Sequence, residues 1–340
     1  MKKIIILVSI CFMIGGCFDY KELNDMSIVN GIAVDYQDNK YVVDLEINNS
    51  IKQNGDSLVA TEIIEGINNN LALAYNEATQ NSNKLLYAEH VNLLLLSEEV
   101  AKKGINEIID FFLRDITINN NYMVVITKNP KDILKIKKNN TSIINVIVDT
   151  IKYDINTTYL NDLDLVAAKL LNEKVDLVLP YIEVENDNII VNKIACFKKD
   201  KLKYIDDAKI YNFMIHKIDS TDFIYDNNVV NVYDQKIDYD IKKDKITIKI
   251  TGNGRIKETD IGYNLKEVDD YNKIEDLINI KIEDEITKYL DNSFKREIDL
   301  LNLKDKYYKE FKRVKENIKY DVEAKITLNK NGSIYEVVYD

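Results

Sequence analysis

Lys245-Ile246-Thr247-Ile248-Lys249-Ile250-Thr251 carries the alternation of a β-strand. The three isoleucines point to one side and the threonines and lysines to the other, as in a sheet with one buried face. Further along, the period changes. Over residues 271–301, Ile274, Leu277, Ile278, Ile282, Ile286, Tyr289, Leu290 and Phe294 recur at three- and four-residue spacing. That is the apolar stripe of one long amphipathic helix. A second helix is expected over 305–317. Strand patterns at 319–328 and 333–339, joined by Asn331-Gly332, have the form of a closing hairpin. Strands and helices in separate blocks predict an α+β domain.

Upstream the same vocabulary repeats. Strands are expected at 27–34, 41–47 and 58–64, with Gln37-Asp38-Asn39 as a hairpin loop between the first two. Leu71, Ala74, Tyr75 and Ala78 mark one face of a helix over 68–79. A single strand is predicted over 84–96. Ser97 then caps a short helical turn whose first residues, Glu98 and Glu99, suit its positive end. Ile105, Ile108, Ile109 and Phe112 form the buried stripe of a helix over 105–114. A strand at 122–127 precedes Pro130, which opens a helix at its first turn. Helices at 142–153 and 159–171 lead to a strand at 175–184, where Pro180 predicts an edge position or a bulge. The polar turn 185–188 is the expected domain boundary. Beyond it come a hairpin (189–197 with 202–205), a helix (207–216) and strands at 223–225 and 229–239. The predicted architecture is an elongated, multi-domain α+β protein with mixed or antiparallel sheets and packed amphipathic helices. Residues 27–187 form an N-terminal region, with a further split near 130 left open, and residues 188–340 a C-terminal domain.

The chain has 340 residues and a formal net charge of −11. That balance argues against nucleic acid as a partner, since phosphate binding needs clustered Lys and Arg. It also argues against a body lying flat on anionic lipid. Chemistry-bearing patterns are sparse. His90 and His216 are the two histidines, and neither has metal-ligand spacing. There is no Gly-x-Ser-x-Gly elbow, and Gly252-Asn253-Gly254 between polar strands reads as a turn or bulge. No catalytic residue, no metal site and no enzyme activity are expected. Cys196, in the apolar run Ile194-Ala195-Cys196-Phe197, is expected to be a buried small hydrophobe. His90 is read as a structural imidazole in the 84–96 strand, with a pH sensor as the other reading. Arg114-Asp115, at a helix end, admits a partner contact. It also admits a local role, with Arg114 at the negative helix terminus and Asp115 capping the exit.

The N-terminus has its own logic. Met1-Lys2-Lys3 is basic, residues 4–14 are apolar except for Ser9, and Ile14-Gly15-Gly16-Cys17 follows. The apolar stretch is short for a membrane span and suited to a secretory signal. The Gly-Gly-Cys ending resembles a bacterial lipobox. It implies a signal peptide at 1–16, a diacylglyceryl group on Cys17 and a lipid-proximal linker at 17–26. Two acyl chains give stable attachment where one gives reversible binding. With Cys11 lost and Cys17 lipidated, Cys196 has no disulfide partner within the chain. No cofactor is expected beyond that lipid.

Gly16-Cys17-Phe18-Asp19-Tyr20-Lys21-Glu22-Leu23, running into Ile28-Val29-Asn30-Gly31-Ile32-Ala33-Val34-Asp35, resembles the start of the Ger(x)C family, with Phe18 where the family usually has Trp. Leu85-Leu86-Tyr87-Ala88-Glu89-His90 resembles a family strand ending in Gly-His, with Glu89 replacing the glycine. The apolar helix ending in Arg114-Asp115, the proline strand at Leu179-Pro180 and the run from Ile194 to Leu202 continue the series. Two departures stand out. After Asp115 the family often has Glu and a second Arg, where this chain has Ile116-Thr117-Ile118-Asn119. Residues 293–311 are shorter and poorer in glycine than usual. The resemblance implies a lipoprotein C subunit of a spore nutrient-germinant receptor. It would act with membrane-embedded A and B subunits at the spore inner membrane, on the extracytoplasmic face. Asp19 and Tyr20 in the linker, and Arg114 and Asp115, are then the candidate partner contacts. The competing expectation is a lipid-tethered solute-binding protein with two similar α/β lobes around a deep cleft.

Overall fold

The computed structural model describes residues 26–53, 56–115, 118–136, 141–153, 162–215, 220–259 and 267–329. β1 (Met26–Gln37) and β2 (Lys40–Gln53) pair as a hairpin. Its two-residue turn, Asp38-Asn39, has both residues at positive φ, 48° and 62°, the twist that matches flanking strands. β3 (Asp56–Asn68) lies outside β2, and α1 (Leu71–Gln80) folds back onto both. The chain then runs through β4 (Leu85–Tyr87), β5 (Leu93–Ser97), α2 (Glu98–Lys103), α3 (Asn106–Arg114), β6 (Met123–Thr127), α4 (Pro130–Leu134), α5 (Ile143–Tyr153) and α6 (Leu163–Leu171). β7 (Val178–Glu185), β8 (Asn188–Lys198) and β9 (Lys201–Asp207) complete the sheet.

Among the described residues this sheet has nine strands in the order β3-β2-β1-β5-β6-β7-β8-β9, with β4 beside β1. Its middle is parallel, β1 to β5 to β6 to β7, and its flanks are antiparallel. Alternation sorts the side chains. Leu94, Leu96, Val124 and Ile126 face one core with α1, α2, α3 and α6. Leu93, Leu95 and Val125 face the other, under α4 and α5. A strand covered on both faces has no polar side to show, hence the unbroken Leu93-Leu94-Leu95-Leu96.

Several expectations change here. The strand predicted over 84–96 is two strands, and the intervening turn holds His90, exposed. Pro180 sits in an interior strand, not at an edge. The parallel ladder to β6 begins only at Tyr181, and the β8 register shifts between Tyr181 and Glu183, the irregularity that a missing N–H favours. The turn at 186–187 is the hairpin joining β7 to β8, so the sheet runs on past it to Asp207. Position 130 likewise lies inside this sheet, between β6 and β7.

α7 (Lys209–Met214) leads to a second sheet of β10 (Ser220–Tyr225), β11 (Asn228–Ile241), β12 (Lys245–Glu258) and β13 (Lys319–Leu328), in that order among the described residues. α8 (Val268–Lys295) and α9 (Leu303–Phe311) lie between β12 and β13 in the chain. Ile246, Ile248 and Ile250 are fully buried, against Ile274, Ile278, Ile282 and Ile286 of α8. β13 pairs with β12 in parallel, so the expected hairpin with 333–339 lies outside the described residues. The two sheets differ in strand number and order, whereas the solute-binding alternative required two similar lobes.

Candidate functional site

Cys17, Asp19 and Tyr20 lie outside the described residues. Arg114 ends α3 with 77% of its side chain exposed, and its Nε donates to Asp110 Oδ2 at 2.9 Å, one turn back. The local partner is therefore a side chain, and not the helix terminus alone. Asp115 takes an extended backbone at the exit, where its carbonyl accepts from Ile118 N–H at 3.3 Å. His90 meets the Tyr87 ring edge-on at 5.4 Å, and the Tyr87 hydroxyl donates to Glu89 at 2.6 Å. Cys196 is fully buried and free; burial pushes its thiol far above the ordinary range, which keeps it protonated and unreactive. Among the described residues no cluster of His, Cys, Asp and Glu is placed to hold a metal ion.

What the sequence did not reveal is the joint between the two sheets. α8 stops at Lys295, and Glu297 turns the chain at φ 66°. Ile298 and Leu300 then pack with Val178, Ile194 and Cys196 of the first sheet and with Ala208 and Tyr211 beside them. A polar latch backs this contact. Asp176 accepts from the Asp299 N–H at 2.8 Å and from Lys198 Nζ at 3.1 Å. Asp299, buried, accepts in turn from Leu303 N–H at 2.9 Å and Lys304 N–H at 2.8 Å, satisfying the start of α9. The Arg296 guanidinium lies 4.4 Å from the Tyr204 ring centre.

Two cavities flank the joint. One, of about 570 Å³, lies among α7, β10, β11 and β12, where Asp222 is held by Lys257 and Asn231. The other, of about 540 Å³, lies between the end of α7, β11 and the 300–306 segment. Lys306 reaches into it. Burial holds this ammonium below the ordinary lysine range, and the neighbouring Asp299 carboxylate acts in the opposite direction.

Residues 19–184 match the family described as "Spore germination protein N-terminal domain", and residues 192–334 match "Spore germination B3/ GerAC like, C-terminal". The chain belongs to the Ger(x)C family. The two Ger(x)C segments meet at the β7–β8 turn, although the first sheet continues through it. The crystal structure of the GerBC protein superimposes with a TM-score of 0.53 at 14% identity, over 91% of this chain and 99% of that one, which shows a shared fold. Spore germination protein KC of Bacillus subtilis (strain 168) is 30% identical over 126 residues. That stretch is 34% of this chain and 30% of the relative's length. Both matched segments are described as spore germination domains, which places the chain among spore germination proteins.

Proposed function

We propose that this chain is the lipid-anchored C subunit of a nutrient-germinant receptor. It is tethered through a diacylglyceryl group on Cys17 at the extracytoplasmic face of the spore inner membrane, and it works by contact with membrane-embedded A and B subunits. The observation that carries the reading is the match to both Ger(x)C segments in order along one chain. The basic, apolar, Gly-Gly-Cys order of residues 1–17 supports attachment through that cysteine; among the described residues no helix is long and apolar enough to cross a membrane. The linker at 19–23 follows Cys17 directly and thus lies beside bilayer-embedded partners; Asp19 and Tyr20 supply one charged and one aromatic contact there. Arg114, exposed at the end of α3, is a second contact.

Cys17→Ala separates tether from body. The variant is expected to leave the membrane fraction and to lose nutrient-triggered germination, read by fractionation, mass spectrometry and germination assay. Full retention of the unlipidated variant in washed membranes overturns the anchor. Replacing residues 19–23 by a Gly/Ser spacer keeps reach and removes side chains. A lipidated, abundant spacer variant that still germinates and co-purifies with both partners sinks the linker contact alone.

A further inference from the structure

Among the described residues β13 is the last strand of the second sheet, and its outer edge lies against α8. The Asn329 N–H donates to the Gly254 carbonyl of β12 at 2.8 Å, so odd-numbered residues of β13 face that neighbour and even-numbered ones face outward. The outward N–H groups are taken by side chains. Ala324 donates to Glu283 Oε1 at 2.9 Å, Ile326 to Asn279 Oδ1 at 2.7 Å and Leu328 to Glu275 Oε2 at 2.7 Å. Asn279 also donates back to the Ile326 carbonyl at 3.2 Å. Glu275, Asn279 and Glu283 are four residues apart on a helix, a rise of about 6 Å, and their donors are two residues apart on a strand, a rise of about 6.6 Å. The repeats agree closely enough for α8 to stand in for a missing strand.

The sequence holds a second claimant for the same groups. Ser333-Ile334-Tyr335-Glu336-Val337-Val338-Tyr339 is strand-like and free of Gly and Pro. A two-residue turn at Asn331-Gly332 makes Lys330 and Ser333 the first hydrogen-bonded pair. Every second pair follows: Leu328 with Tyr335, Ile326 with Val337, Ala324 with Tyr339. Those are the N–H groups that α8 holds. A turn shifted by one residue would demand the odd-numbered groups, which β12 already uses. Opposite residues share a face, so Tyr335, Val337 and Tyr339 would join the side of buried Ile326 and Leu328. At about 100° per residue, Ile280 stands beyond Asn279 on the side away from the Ile278 and Ile282 stripe, and it is 61% exposed. We propose that the β13 edge is a strand-addition site for the chain's own segment Ser333–Tyr339, held closed by the Glu275, Asn279 and Glu283 row until that segment displaces it. The exchange replaces side-chain acceptors by main-chain ones, adds apolar burial and returns two carboxylates to water. α8 carries the row near its start and leads into the joint at its end, so the occupant of this edge bears on the contact between the sheets. The receptor reading is not needed for this inference and does not fall with it.

The test is disulfide capture in the purified full-length chain. Lys325→Cys with Val338→Cys puts two thiols at a non-hydrogen-bonded pair of the expected register, with Cα atoms about 4.5 Å apart and within disulfide reach. Lys325→Cys with Val337→Cys moves one thiol to the other face. Under mild oxidation the first pair is expected to close within one chain and the second is not, read by peptide mass spectrometry. Buried Cys196 stays out of the reaction. Glu275→Ala, Asn279→Ala and Glu283→Ala together lift the competition and are expected to raise the yield. Hydrogen exchange gives the complementary measurement. In this triple variant the N–H groups of Ala324, Ile326 and Leu328 are expected to stay protected, and ending the same chain at Lys330 to speed their exchange at least about tenfold. Asn279→Ala alone, read at Ile326, serves if the triple variant does not fold. Equal closure of the two cysteine pairs, a disulfide found only between two chains, or exchange in the row variant that does not depend on residues 331–340 overturns the proposal.

Discussion

Asp44 is a buried carboxylate on β2, beneath α4, with one oxygen lacking a hydrogen-bond partner. Desolvation, aided by the nearby Glu65 and Asp35 charges, raises its pKa from 3.8 to about 6, while Lys131 and Lys135 act in the other direction. The folded protein thus keeps a proton that the unfolded chain releases above about pH 4, and stability falls as pH rises through the window up to about pH 6. Asp44→Asn keeps the shape and removes the charge. It is expected to stabilise the protein by about 2 kcal/mol near pH 7.5 and to change little near pH 4. Urea unfolding at the two pH values checks this; equal effects at both would show that charge is not the cause. Two residues along, Glu46 is also buried but is differently placed. Burial raises its pKa, while hydrogen bonds from the Ser142 hydroxyl, from Asn30 Nδ2 at 3.4 Å and from the N–H groups of Ile144 and Ile143 act in the other direction, so it caps α5 from a distant strand. Neither role was legible in the sequence, because α4 and α5 reach β2 from far along the chain. The Ser97 cap was legible, since its hydroxyl accepts from Val100 N–H at 3.1 Å, three residues on. His90 was misread because Glu89-His90 falls between apolar runs that continue one another in pattern while the backbone turns.

At the level of elements, helix faces were the clearest text. Leu71, Ala74, Tyr75 and Ala78 are the buried residues of α1, as their spacing requires. What spacing does not show is how closely the helix sits. A Cβ at Gly66 on β3 would stand 2.1 Å from the Ala74 carbonyl oxygen and 2.4 Å from the Ala78 nitrogen, both backbone atoms that cannot swing aside. Gly66→Ala is therefore expected to cost about 3 kcal/mol, the upper end for overpacking. A chemical-denaturation midpoint unchanged from wild type would contradict that close approach. The end of α8 was unreadable for a related reason. Ile298, Leu300 and Leu301 prolong the apolar pattern past Lys295, but only Leu301 stays with the core of the stripe before them; Ile298 and Leu300 serve a different one, and the chain must leave the helix to deliver them.

Across the whole molecule, strand content was legible and strand partnership was not. Short apolar runs locate β1, β5 and β6, yet nothing local says that they lie side by side in parallel. The polar turn at 185–188 is where the two matched family segments meet and is also a hairpin within one sheet, since boundaries and hairpins use the same residues. The join between the sheets gathers instead on the 298–305 segment, and Asp176 is its keystone. Asp176→Ala would leave Lys198 and the Asp299 N–H without their acceptor, at a cost of about 1–3 kcal/mol. Hydrogen exchange is expected to quicken at residues 298–304 while β5 and the middle of α8 keep their protection. Uniform quickening would show that Asp176 supports the entire fold and not the joint. The place of β1 has a mechanical meaning. It is the strand nearest the proposed tether, and it is interior, bonded to β2 on one side and to β4 and β5 on the other. A load entering ahead of Met26 meets two ladders in shear at once, and has no free edge from which to unzip the sheet. An outermost strand in that position would peel one bond at a time. Under the proposed tether, tension arriving at β1 would thus be shared between the ladders on its two sides.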